Sequence, residues 1–526
     1  MVAVTPVSAP ESRLRNAGSV IARPDHVVVV LLDSLNRHLL GAYGSTEFTT
    51  PNLDRFASSA VVFDRHHTGS LPCMPARHDI LVGALDFPWR PWGSIEIWED
   101  AITRSLRTAG VTSMLVSDHP HLFEVGGENY HTDFTAWEYL RGHENDPWKT
   151  IPDPTWVGAP AIDVVPPRIH YNYDDSRTWF RNEADFPGPR TMQAATDWVI
   201  RNAGRHDRSL LFVDEFDPHE PFDTPEPWAS RYHRAGDPRM IWPPYAVDGL
   251  SRGLIDERSG RALRAAYGAK LSMIDHWFGR LLEAIEHSVD ADRTAVIVCT
   301  DHGHYLGERD VWGKPGYPIH DPLGHIPLMI RWPGVVPRRE SSLSTSVDIH
   351  ATLCDVFDVV PEHRTHGRSL IPLLQGSVPH VRDHVLTGYW GREVQVITDD
   401  HCYIRGSVGS AFPVSMWSNR WSTMPVHALP DLRLPKPDAR ARLDRMPGSD
   451  VPVIRQPFVE GDLLPFWAIG GLVDRNILYA RSDHGQTNDL SGRPDHLATE
   501  SMLVDVLRGA LTEISAPDDL FERLGL

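Results

Sequence analysis

Four apolar runs constrain the fold of this chain most: residues 27–32, 111–116, 209–216 and 295–299. They are rich in Val, Ile and Leu and mostly unbroken, the pattern of strands buried on both faces and hence of a parallel sheet covered by helices. Each run leads into polar, chemically able residues: Asp33, Asp118-His119-Pro120-His121, Asp217-Pro218-His219, and Asp301-His302. In a doubly wound sheet the carboxyl ends of the strands open on one crevice. The pattern therefore predicts one site assembled from four distant segments.

A fifth segment bears on the same site, Cys73-x-Pro75-x-Arg77, with Gly83 downstream. Pro75 suits a first helical turn, and Gly83 is a plausible stop. Cys73 then stands at a helix N-terminus, where free N–H groups and the dipole favour negative charge. Arg77 lies one turn on, within reach of an oxyanion on residue 73. A tyrosine-phosphatase-type thiol loop needs a longer spacing than the three residues between Cys73 and Arg77.

Further segments occur in a fixed order around this motif: Thr50-Pro51-Asn52-Leu53-Asp54, Pro218-His219-Glu220-Pro221-Phe222, Asp301-His302-Gly303 and Trp312-Gly313-Lys314. With them the chain resembles the sulfatase family of the alkaline-phosphatase-like superfamily, over roughly residues 25–380. The resemblance implies that Cys73 is oxidised to formylglycine by a formylglycine-generating enzyme, and that the hydrated aldehyde is the nucleophile. It implies one divalent cation held by Asp33, Asp301, His302 and residue 73. Ser34 stands where the family usually has a second Asp, and His302 where Asn is frequent. Fewer oxygens and one imidazole point toward manganese or another transition ion, with calcium the other choice.

By the same resemblance His219 and Lys314 protonate the leaving oxygen and clamp the substrate anion. His119 and His121 occupy the place of a family Lys-x-His pair, without the Lys, and are expected to bind substrate. The implied reaction is hydrolysis of a small anionic ester, a sulfate ester first. Phosphonate monoesters or phosphodiesters cleaved by the same machinery are the alternative. A third reading is a non-catalytic binding protein of this fold.

The 526 residues suit a large α/β domain and a smaller one. We expect a loose tail over 1–24 and a catalytic α/β domain over 25–380, with a large, mostly parallel sheet sandwiched by helices. An irregular excursion over 141–208 is expected at the rim of the site. A C-terminal α+β subdomain with an antiparallel sheet is expected over 381–526. Apolar residues at helical spacing over 261–287 predict a long amphipathic helix, with Met273 and Trp277 as core. The formal net charge of −19 argues against nucleic acid or an anionic membrane as partner. No stretch reads as a signal peptide or a membrane span, and four scattered cysteines suggest no disulfide framework, so a cytoplasmic location is expected.

Overall fold

A computed structural model describes residues 23–156, 171–421 and 437–526. The tail expected over 1–24 lies outside the described residues except for its last two. Eight strands form the main sheet: β1 (His26–Leu32), β2 (Val61–His67), β3 (Thr112–Ser117), β4 (Ala136–Tyr139), β5 (Ser209–Glu215), β6 (Thr294–Cys299), β7 (Leu328–Arg331) and β8 (Arg338–Thr345). Their order is β8-β2-β7-β6-β1-β5-β3-β4. Only β7 runs against its neighbours, so the sheet is mostly parallel, as the apolar runs predict.

Alternation along the strands divides the core in two. Val27, Val29 and Leu31, Leu210 and Phe212, and Ala295, Ile297 and Cys299 face one side. That side is covered by helix α1 (Cys73–Val82) and, later in the chain, by the helix Ser346–Phe357. Val28, Val30, Leu211, Val213, Val296 and Val298 face the other side, under α2 (Pro187–Asn202) and α3 (Glu257–Glu286). α3 carries the predicted stripe, with Leu263, Leu271, Ile274, Phe278 and Leu281 fully buried, and Met273 and Trp277 also lie in the core. Burying each such side chain contributes about 1.5–3 kcal/mol. The Asp256 side chain caps α3 by accepting from Ser259 N at 2.7 Å.

The stretch expected to be an irregular excursion over 141–208 needs correction at its end. Residues 187–202 form α2, whose Met192, Ala195 and Val199 pack in the core. Pro187 and Pro189 masked it as a helix, yet both stand in the first turn, where proline costs no intrahelical bond. Residues 157–170 of that stretch are outside the described residues.

After residue 384 the chain builds antiparallel pairs. Val385–Tyr389, Val394–Ile397, His401–Arg405 and Ile477–Ala480 form one sheet, and Leu503, Leu507 and Leu511 of the helix Leu497–Glu513 pack on it. A short strand, Ser70–Leu71, closes this sheet in parallel with Val385–Tyr389. It leads directly into Cys73, so the second sheet helps to hold the start of α1.

Candidate active site and metal centre

The strand alternation continues past the strand ends. Asp214 in β5 has the same phase as Leu210 and Phe212, and so points to the α1 side. Asp33 and Asp301 follow β1 and β6 in that phase. All three carboxylates meet the Arg77 side chain. Its Nε and Nη2 reach the two Asp214 oxygens at 2.8 and 2.7 Å, and Nη2 also lies 2.8 Å from Asp33 Oδ2. Nη1 reaches Asp301 Oδ2 at 2.7 Å and the Cys73 carbonyl at 3.3 Å. Arg77 thus spends Nε, Nη1 and one Nη2 N–H on Asp214, Asp301 and the Cys73 carbonyl, and forms a close ion pair with Asp33. Asp214 gave no signal in the sequence because its strand is apolar on both faces, which hides the phase.

Asp33, Cys73, Asp301 and His302 each bring one ligand atom to within 4.8 Å of the others, and all four are buried. His302 Nδ1 lies 2.8 Å from the Gly303 carbonyl, an acceptor, so Nδ1 carries the hydrogen and Nε2 the lone pair. That Nε2 stands 3.1 Å from Cys73 Sγ and 3.4 Å from Asp301 Oδ2. Burial lowers the His302 pKa to about 4, which keeps the lone pair free at neutral pH. Burial and then the neighbouring Asp301 push Asp33 well above the carboxylate range. Crowded carboxylates, a bare imidazole nitrogen and a fourth donor position fit a divalent cation. Ser34 completes the loop. It has φ 59°, donates its N–H to Asp301 Oδ1 at 3.1 Å and its hydroxyl to Asp33 Oδ1 at 2.7 Å.

The Cys73 thiol is pushed well up, first by burial and then by the charge on Asp33. A thiolate nucleophile is disfavoured there despite the helix N-terminus.

Lys314 Nζ donates to Ser34 Oγ at 3.1 Å and lies 3.7 Å from Glu220 Oε2. Glu220 also takes Tyr245 OH, and His304 Nε2 at 3.2 Å. His219 Nδ1 donates to the Glu220 carbonyl at 2.7 Å, with the Glu220 carboxylate 3.5 Å away, and its ring stacks on Phe216. Glu220 was not singled out in the sequence; its place between His219 and Pro221 was the available signal. His119 is fully buried with no partner at either ring nitrogen, and faces Arg77 and His219. His121 sits edge-on to it, ring centroids 5.2 Å apart.

A sulfatase family model matches residues 25–359, more than half of the chain. The chain belongs to the sulfatase family. Its curated relatives include the choline-sulfatase of Rhizobium meliloti, 25% identical over 384 residues that cover 67% of this chain and 72% of that protein. Human iduronate 2-sulfatase is 24% identical over 385 residues, 66% of each chain. Among solved structures, the phosphonate monoester hydrolase of Agrobacterium radiobacter superposes with a TM-score of 0.62, covering 94% of this chain and 96% of that one at 18% identity. The last of these likenesses establishes the fold.

This sulfatase-family chain also carries groups beside the centre that are not open to a ligand. Both His121 nitrogens are engaged, Nδ1 with Glu124 at 3.2 Å and Nε2 with Glu144 at 3.1 Å. Burial lowers its pKa, but the two carboxylates override it and raise the value to about 10. The expected substrate contact from His121 is therefore corrected to a fixed cation that braces His119. On the opposite sheet face, Lys270 Nζ reaches Asp217 Oδ1 and the Pro221 carbonyl, each at 2.6 Å, and lies 3.2 Å from His143 Nε2. Among the described residues, no helix is long and apolar enough to cross a membrane.

Proposed function

We propose that the protein hydrolyses sulfate esters at the Cys73 centre, with Cys73 converted to formylglycine by a generating enzyme. The observation that carries this reading is the convergence of Cys73, buried at the start of α1, with the metal-type donors Asp33, Asp301 and His302. Once formed, the hydrated aldehyde supplies one hydroxyl to attack sulfur and a second whose deprotonation releases the sulfate, which a thiol cannot do. A divalent ion held by Asp33, Asp301, His302 and residue 73 would draw charge from the ester oxygens and acidify the attacking hydroxyl. The imidazole in this set favours a transition ion such as manganese over calcium.

The chain's own groups have distinct roles in this reading. Arg77 neutralises the three carboxylates and anchors the Cys73 carbonyl, which fixes the donor geometry. Lys314, already oriented by Ser34 and Glu220, has a remaining N–H for an anionic substrate oxygen. His219 has its Nδ1–H tied to the Glu220 carbonyl, so Nε2 is the atom that would hold a proton at the leaving oxygen. Burial dominates and holds the His219 pKa well below the ordinary imidazole value, with the Glu220 carboxylate offsetting it in part. His119 offers an unspent ring N–H to the same anion. The substrate is a small anionic ester. Four buried, unpaired cysteines support a reducing compartment, hence the cytoplasm.

Phosphonate monoester or phosphodiester hydrolysis is the second reading, favoured by His302 as a ligand and by the charge and shape these esters share with sulfate monoesters. Peptide mass spectrometry of protein co-expressed with a generating enzyme tests the nucleophile. Conversion of Cys73 lowers its peptide mass by about 18 Da, and fully active protein with an intact thiol would refute it. Rates on an aryl sulfate, a phosphodiester and a phosphonate monoester measured side by side decide the substrate. The sulfate ester is expected to be cleaved fastest.

A further inference from the structure

A second convergence of metal-type donors lies on the outer side of the same loops. His38, Asp321 and His325 each offer a ligand atom within 4.8 Å of the other two. His325 Nε2 is 2.7 Å from the Asp64 carbonyl oxygen, which can only accept. Nε2 therefore carries the hydrogen, and Nδ1 of the neutral ring is bare. Nδ1 stands 3.6 Å from Asp321 Oδ2, so two lone pairs face each other across the gap. The other carboxylate oxygen, Asp321 Oδ1, is served by Arg481 at 3.4 Å.

The surroundings fix this arrangement. His67, almost fully buried and with both ring nitrogens unpartnered, stacks on His325 at 4.6 Å and 19°. The stacked His67 ring sets the plane of His325. His38 closes the exposed side, its ring edge-on to His325 at 6.2 Å.

We propose that His38, Asp321 and His325 bind a divalent transition ion of the zinc class. Two imidazole nitrogens, one carboxylate oxygen and an outer position left to water form a suitable donor set. The bound ion would link the loop after β1 to the turn before β7. The turn before β7 supports the catalytic ligands: Gly303 N donates to the Leu323 carbonyl at 2.8 Å, and Thr68, whose hydroxyl donates to the Asp301 carbonyl at 2.7 Å, donates its N–H to the Gly324 carbonyl at 3.0 Å. The ion thus has a bracing role outside the chemistry.

Zinc added to metal-free full-length protein tests the proposal, with bound equivalents counted by elemental analysis after dialysis. His38→Ala is the first variant, because His38 is exposed and its loss leaves the core intact. It should bind one equivalent fewer than the unmodified protein, with affinity at this site lower by more than about 100-fold. Asp321→Asn should lose the same equivalent, and cobalt-loaded protein should lose the matching visible bands. Equal zinc uptake by the unmodified protein and His38→Ala would overturn the site. The readout is a difference between proteins, so failure of the Cys73 centre to bind metal would change both alike and leave this test intact.

Discussion

Asp214 and Glu215 are neighbours at the end of β5, yet they serve opposite faces of the sheet. Asp214 joins Asp33 and Asp301 around Arg77. Glu215 joins Asp118 and Asp217 near Lys270. On each face three buried acids gather about a buried cation, Arg77 or Lys270. On the Lys270 side, burial and mutual repulsion push Asp118 and Glu215 well up, so protons quench the excess charge. Lys270 donates to Asp217 and the Pro221 carbonyl, and His143 Nε2 donates to the same Asp217 oxygen at 2.7 Å. On the Arg77 side two acids converge with a bare imidazole nitrogen and the Cys73 sulfur on one point. Counting acids therefore does not separate a reactive centre from a polar core. Convergence and the tautomer of the nearby histidine do.

The largest expected contrast is chemical. Asp301→Ala should remove the metal equivalent bound at the Cys73 centre and lower kcat by at least about 10³-fold, whereas Asp118→Asn should keep kcat within a few-fold. Full metal occupancy in Asp301→Ala would break the distinction between the two faces. Next, His219→Ala should slow alkyl esters more than nitrophenyl esters by about 10²–10⁴-fold, because a basic leaving group needs its proton in the transition state. Equal losses on the two substrates would remove the acid role.

Lys270→Met sharpens the comparison from the other side. Depriving buried Asp217 of its cation, with His143 Nε2 at 2.7 Å its remaining partner, should cost about 3–5 kcal/mol of stability in urea unfolding, with kcat of the folded fraction unchanged. A normal stability curve with lost kcat would move Lys270 into the chemistry.

The smallest effect concerns His121. Its folded pKa, about 10, lies above its ordinary 6.5. The stabilisation it brings is then complete below pH 6.5 and is lost as the pH rises toward 10. Unfolding at stepped pH should show stability declining across this window, absent in His121→Gln. An identical decline in that variant would assign the pH dependence elsewhere.

Much of the site could be read before any fold was known. The unbroken apolar runs marked strands buried on both faces, and the polar residues after them marked the crevice, so Asp33, Asp301 and His302 could be grouped with Cys73. The partners of Arg77 could not be read. A strand covered on both faces lacks the polar alternation that reveals phase, and phase is what sends Asp214 toward Arg77 and Glu215 away. Glu220 and His304 were hidden for another reason: Glu220 matters through contact with Lys314, Tyr245 and His304, which arrive from distant loops. The α2 helix was obscured by prolines that a first turn tolerates. Nor could the pairing of Ser70–Leu71 with Val385–Tyr389 be foreseen, since nothing local marks a two-residue strand.

That pairing has a consequence for the order of events during synthesis. Folded, Cys73 is only 5% exposed, and the strand before it is held by one that emerges from the ribosome roughly 300 residues later. At about 5–20 residues per second, translation leaves an interval of roughly 15–60 s before that strand exists. Conversion of Cys73, on the reading proposed here, belongs to this interval. A chain released before its thiol is oxidised would close around an inert residue.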